Sequence, residues 1–163
     1  MKTLFLVRHA KADKKGDPAL PDRERPLTER GRNDAPKMGR RLAKRGVKPD
    51  LILSSPAKRA LVTAEAIART LDYAPEDIMT NDELYVSQAD ELLDIIHGLD
   101  DKLEDVMLVG HNPAFDELAH RLSRKITHLP TCAVARFSFD TRSWSAIGKA
   151  KPAKVLLDYP KRA

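Results

Sequence analysis

The chain lacks the residues that carry several kinds of function. It has one cysteine, Cys132, in 163 residues, so no intramolecular disulfide can form. That fits a reducing compartment, and nothing near Cys132 in the sequence marks a reactive thiol. Aromatic residues make up only 5% of the chain. With no zinc-ligand spacing and no base-reading motif beside them, nucleic acid is not expected as a partner. No apolar run approaches the ~20 residues a membrane helix needs. Lys2 is followed by only five uncharged residues before Arg8, too few for the apolar core of a targeting peptide. These absences describe a cytoplasmic protein without a membrane partner. A Walker loop, a dinucleotide glycine fingerprint and a carboxylate cluster suited to magnesium are also missing.

What is present is ordinary in bulk and specific in detail. Hydrophobic residues make up 42% and charged residues 33%, a soluble globular composition. The length suits a single domain over residues 1–163 with room for a real core. The formal net charge of +5, with a pI near 9.4, favours acidic partners.

The first informative stretch is Leu4-Phe5-Leu6-Val7. Four apolar residues without alternation read as a strand buried on both faces. It ends in Arg8-His9-Ala10, a cation and an imidazole at a strand end, where open α/β sheets place their ligands. Lys11 to Arg25 is polar, interrupted by Pro18 and Pro21, and reads as a long loop of the kind that is often functional. Thr28 then caps a helix predicted to reach about Arg45 and to stop at Gly46. Ala35, Met38 and Leu42 form its inner face. Lys37, Arg40, Arg41, Lys44 and Arg45 form a basic outer stripe, read as a solvated face.

Leu51-Ile52-Leu53 is a second buried strand, followed by Ser54-Ser55-Pro56. Ser55 is expected to cap the next helix with Pro56 at its first position, which places Arg59 in the first turn. Ile78 to Thr80 reads as a short strand and Asp90 to Gly98 as a helix. Val106-Met107-Leu108-Val109 is a third strong strand, ending in Gly110-His111-Asn112-Pro113. That end repeats the device, with Asn112 as cap and Pro113 opening a helix. Ala133 to Phe139 and Trp144 to Ile147 are expected to pair antiparallel around Asp140-Thr141-Arg142-Ser143. Val155 to Leu157 reads as a last strand or an irregular tail.

Alternating strands and helices predict an α/β fold: a mostly parallel sheet covered on both sides, with an antiparallel pair added late. Right-handed crossovers put the strand-to-helix turns along one edge. That edge collects Arg8, His9, Arg59 and His111. A helix N-terminus attracts anions, and arginine grips phosphate with a charged fork. Nearby cations lower the pKa of an imidazole and leave it neutral, as attack on phosphorus requires. Metal-free phosphoryl transfer through a covalent phosphohistidine uses all four residues. His97, His120 and His128 lack such a context and are expected on helix surfaces or in loops.

These segments resemble a known family. Leu6-Val7-Arg8-His9-Ala10 resembles the Arg-His-Gly signature of the histidine phosphatase superfamily, branch 1, with alanine for glycine. Arg25-Pro26-Leu27-Thr28-Glu29-Arg30-Gly31 is similar to its helix start. Ser54-Ser55-Pro56-Ala57-Lys58-Arg59-Ala60 and Val109-Gly110-His111-Asn112-Pro113 resemble the segments of its second arginine and second histidine. The small size is most similar to SixA-type phosphohistidine phosphatases. The resemblance implies a three-layer α/β/α sandwich of the phosphoglycerate mutase type and no cofactor. It implies His9 as the phosphorylated nucleophile and Arg8, Arg59 and His111 as the phosphate pocket.

Larger family members carry a glutamate acid on a leucine-x-glutamate pattern. Glu83-Leu84-Tyr85-Val86 puts Val86 where that acid would fall. A sugar-phosphate alkoxide is a poor leaving group and gains from a positioned acid, whereas an imidazole leaving a P–N bond needs less help. The expected substrate is therefore phosphohistidine on a phosphorylated protein. Glu83, Asp13 and Asp22 are weak proton-donor candidates. The alternatives are hydrolysis of a small phosphorylated molecule and a non-catalytic phosphate-binding module.

Overall fold

The computed structural model describes residues 1–14, 18–85 and 87–162. Val86, where the family's acid would fall, lies outside them, as does part of the loop after the first strand. Six strands form one sheet: β1 Lys2–Arg8, β2 Leu51–Ser54, β3 Met79–Thr80, β4 Asp105–Gly110, β5 Val134–Phe139 and β6 Lys154–Asp158. Their order is β3-β2-β4-β1-β5-β6. β1 to β4 run parallel, β5 runs antiparallel to β1, and β6 antiparallel to β5. The helices are α1 Glu29–Lys44, α2 Lys58–Thr70, α3 Ala89–His97 and α4 Ala114–Ser123.

The apolar run of β1 explains the three layers. Successive side chains of a strand point to opposite faces. Leu4 and Leu6 join the core under α3 and α4, while Phe5 and Val7 join the core under α1 and α2. All four are at most 1% exposed, and each such burial contributes roughly 1.5–3 kcal/mol. With β1 central between β4 and β5, its carboxyl end opens at the middle of the sheet edge, beside the end of β4.

Thr28 caps α1 as expected, its hydroxyl accepting the Gly31 N–H at 3.1 Å. Gly31 has a packing reason: a Cβ there would stand 2.2 Å from the Lys11 carbonyl oxygen. The loop after β1 is thus pressed against the first turn of α1. The basic stripe of α1 is not simply solvated. Lys37 donates to the Pro160 carbonyl, Arg41 grips Asp158 and three carbonyls of residues 159–162, and Arg45 pairs with Asp158 at 3.4 Å. The stripe binds the chain's own final segment.

Three local expectations are corrected. β5 pairs with β6, not with Trp144–Ile147. Trp144–Ala146 is instead a 3-10 turn, because the buried Trp144 indole donates to the Leu103 carbonyl at 2.8 Å and its backbone N–H to Asp101. α2 starts at Lys58, with Ala57 at the cap position, and the Ser55 hydroxyl accepts the Ala57 N–H one turn ahead of the helix. α4 has Pro113 at its cap, and the Asn112 side chain reaches the Leu129 carbonyl at 3.0 Å.

Candidate active site

Arg8, His9, Arg59 and His111 come together at the carboxyl edge of the parallel strands. The His9 backbone N–H donates to the Gly110 carbonyl and the Ser55 N–H to the Val109 carbonyl, so the three turns are stitched to one another. The rings of His9 and His111 stand 5.2 Å apart, centroid to centroid.

His9 is held by its backbone neighbours. Its Nδ1 lies 2.7 Å from the Ala10 carbonyl oxygen. A carbonyl only accepts, so Nδ1 carries the proton and Nε2 keeps its lone pair. Burial lowers its pKa to about 4, with the Arg59, Arg8 and Arg25 charges acting the same way and the Ala10 hydrogen bond opposing. The imidazole is therefore neutral near pH 7. Ala10, in the place of the family's glycine, is fully buried, and its N–H donates to Thr63 Oγ1 at 2.9 Å. Thr63 in turn donates to the Arg59 carbonyl, tying the turn to α2. Cys132 closes the other side, with φ at +61°, no exposure, and its N–H donating to the His9 carbonyl. Burial pushes its thiol up to about 12.

His111 is held differently. Its Nε2 lies 2.7 Å from the Ser55 hydroxyl, and its buried Nδ1 has no partner among the described residues. Burial lowers its pKa to about 3, with His9 and Arg59 adding to the effect. The Arg8 guanidinium donates from Nη1 to the Leu129 carbonyl, while its buried Nε is unpartnered among the described residues. Burial lowers the pKa of Arg8 as well, opposed by Asp116. Arg59, only 6% exposed, donates to the carbonyl and carboxylate of Asp22, and its Nε also has no partner among the described residues.

Asp22 is the hub of the rim. Its carboxylate accepts from Tyr85 at 2.5 Å, from Arg25 at 2.8 Å and from Arg59 at 3.0 Å. The Tyr85 hydroxyl, then Arg25 and Arg59, hold it well below the usual carboxylate range against the opposing effect of burial. Asp22 therefore stays ionised near neutral pH and is no proton source, which corrects its candidacy. Glu83 is exposed on a 3-10 turn, and among the described residues no contact joins it to either histidine. Asp13 gives its carbonyl to Arg25. His97 and His120 bond the Ile147 and Ile126 carbonyls, while His128 pairs with Asp116, whose other carboxylate oxygen accepts the Leu129 N–H and whose charge acts on Arg8. Tyr85 and Ser55 are the partners the sequence reading missed. The Tyr85 ring stands edge-on to His111 at 5.7 Å and borders a cavity of about 180 Å³ with Leu84, Ser87 and Pro113. The Ser-Ser-Pro segment announced a helix start but not a hydroxyl for His111, and nothing local marks Tyr85.

The family model for the histidine phosphatase superfamily (branch 1) matches residues 4–85. This chain belongs to that superfamily. Among superfamily structures it is similar to a candidate phosphohistidine phosphatase SixA from Nakamurella multipartitia, at 25% identity over 99% of this chain and 97% of that one, with a TM-score of 0.85. A candidate SixA from Agrobacterium tumefaciens is 30% identical over 95% and 97% of the two chains, with a TM-score of 0.79. An uncharacterized chloroplastic protein of Arabidopsis thaliana is 30% identical over 88% of this chain and 69% of its own length. Membership in the histidine phosphatase superfamily accords with the phosphoglycerate mutase-like sheet. No helix among the described residues is long and apolar enough to cross a membrane.

Proposed function

We propose that this chain, acting as one domain, is a metal-independent phosphatase that removes phosphate from phosphohistidine on proteins. His9 is the nucleophile, and Arg8, Arg59 and His111 hold the phosphoryl group. The observation that carries the proposal is the neutral His9 with its tautomer fixed: the ring nitrogen left to attack is Nε2, in the field of Arg8 and Arg59, whose buried Nε–H groups have no partner among the described residues. Unpaired buried donors cost free energy unless something accepts from them, and a phosphoryl dianion would do so. The guanidinium charges can neutralise the developing negative charge, the task a metal performs elsewhere.

In the first step Nε2 of His9 forms a bond to phosphorus as the P–N bond of the substrate breaks. The departing imidazole takes the bonding pair and leaves neutral when its other nitrogen already carries a proton, so no strong acid is needed. Water then attacks phosphorus, phosphate leaves, and the pair returns to Nε2. Throughout, the proton stays on Nδ1, which donates it to the Ala10 carbonyl. The names of the SixA neighbours support a protein phosphohistidine substrate, and the reducing environment suited to Cys132 supports a cytoplasmic setting.

Incubation with a phosphohistidine-bearing protein in chelator should place transient, acid-labile phosphate on the wild-type chain and none on His9→Ala. Full turnover by His9→Ala would end the mechanism. A sugar phosphate or nucleotide turned over faster than phosphohistidine would move the substrate to the small-molecule class. Tight phosphopeptide binding without turnover would make the chain a phosphate-binding module.

A further inference from the structure

Two basic concavities lie outside the active site, and they differ in one respect. The first, of about 380 Å³, is lined by Arg41, Arg45 and Arg162 but also by Asp158, which neutralises it from within. The second, of about 640 Å³, runs between the end of α4 and the segment leading into β6. It is lined, among the described residues, by Arg121, Arg124, Lys125, Lys149, Lys151 and Lys154, and by no carboxylate. Among the described residues only Arg121 has an acidic partner, Asp90 at 2.6 Å.

The six cations less Asp90 leave five uncompensated positive charges, and the whole chain carries a formal net charge of +5. The formal charges of all other residues therefore sum to zero, so the groove holds positive charge equal to the net excess of the whole chain. Like charges held together repel unless a counter-charge arrives. Leu122, Ile126, Val155 and Leu157 form an aliphatic floor between the cations.

We propose that this groove docks an extended acidic segment of a partner protein, with apolar side chains between its carboxylates. The carboxylates answer the cations, and the apolar side chains answer the aliphatic floor. Among the described residues no aromatic side chain lines the groove, so it offers no stacking platform for bases. A concave wall does not follow a flat bilayer. α4 begins at the phosphate cup and ends at the groove, and its ten residues separate the two by about 15 Å at 1.5 Å per residue. A partner docked in the groove leaves the cup open.

Fluorescence anisotropy tests this without any use of turnover. A short fluorescent peptide alternating glutamate and leucine should bind the full chain saturably, and binding should weaken several-fold as salt is raised. Lys125→Glu with Lys151→Glu should weaken it at least about ten-fold, equivalent to about 1.4 kcal/mol, with an unchanged thermal midpoint. Arg40→Glu with Lys44→Glu, the same charge change on the exposed face of α1, should leave binding intact. Equal loss in both double variants, or none in the groove variant, overturns the proposal. Tighter binding of an oligonucleotide or of anionic phosphatidylglycerol vesicles than of the peptide also overturns it.

Discussion

His9 and His111 follow neighbouring parallel strands and face each other across the cup, yet opposite nitrogens fasten them. His9 gives Nδ1–H to a backbone carbonyl, and His111 sets Nε2 against the Ser55 hydroxyl. A carbonyl admits one proton arrangement, whereas a hydroxyl can donate or accept. The first histidine is therefore committed to a lone pair at Nε2. The second is free to take up a proton once a dianion lies between the rings, because a negative charge favours the charged imidazole. Two residues that look equivalent in sequence are thereby suited to different tasks, one to attack phosphorus and one to donate to its oxygens.

The largest effect should separate them by kind as well as by size. His9→Ala should remove phosphoenzyme entirely and lower kcat/KM on the order of 10⁴-fold or more, the scale of losing a covalent nucleophile. His111→Ala should still form the phosphoenzyme, about 10²–10³-fold more slowly, as when one oxyanion donor is lost. Rapid-quench measurement of the acid-labile phosphate distinguishes the two, and identical behaviour of both variants would erase the difference.

A smaller effect is expected at the hydroxyl. Ser55→Ala removes the only partner that His111 Nε2 has among the described residues and should lower kcat by roughly ten-fold, the worth of one hydrogen bond to an ionisable group, while leaving His9 labelling intact. The smallest is a stability profile. Both native pKa values, about 4 and about 3, lie below the ordinary 6.5, so the unfolded chain binds more protons between those limits. Stability should therefore be full above pH 6.5 and fall as pH drops toward 4 and below. His111→Gln should flatten that fall in a denaturant titration series.

The parts of this site that were legible in the sequence share a physical cause. Buried strands are continuous apolar runs, so their ends are sharp, and Arg8-His9 and His111 stand at two of those ends. Arg59 was legible because it sits in the first helical turn after a third. What stayed hidden depends on contacts between distant residues: Asp22 meets Arg59 across a separation of 37 and Tyr85 across 63. No local period or composition encodes such pairs. Trp144 was misread for the same reason. Its β-prone neighbourhood predicted a strand, but an indole anchored to the Leu103 carbonyl overrode local propensity. The basic stripe on α1 looked like any solvated face because its partners lie more than 110 residues away in the chain.

The burial of Cys132 has a practical corollary. With no exposed surface and a thiol pushed up to about 12, it should stay silent toward maleimides while the fold is intact. The protein thus comes with a blank background for site-directed chemistry, and a single introduced thiol would be the sole address for a spin probe without Cys132 having to be replaced.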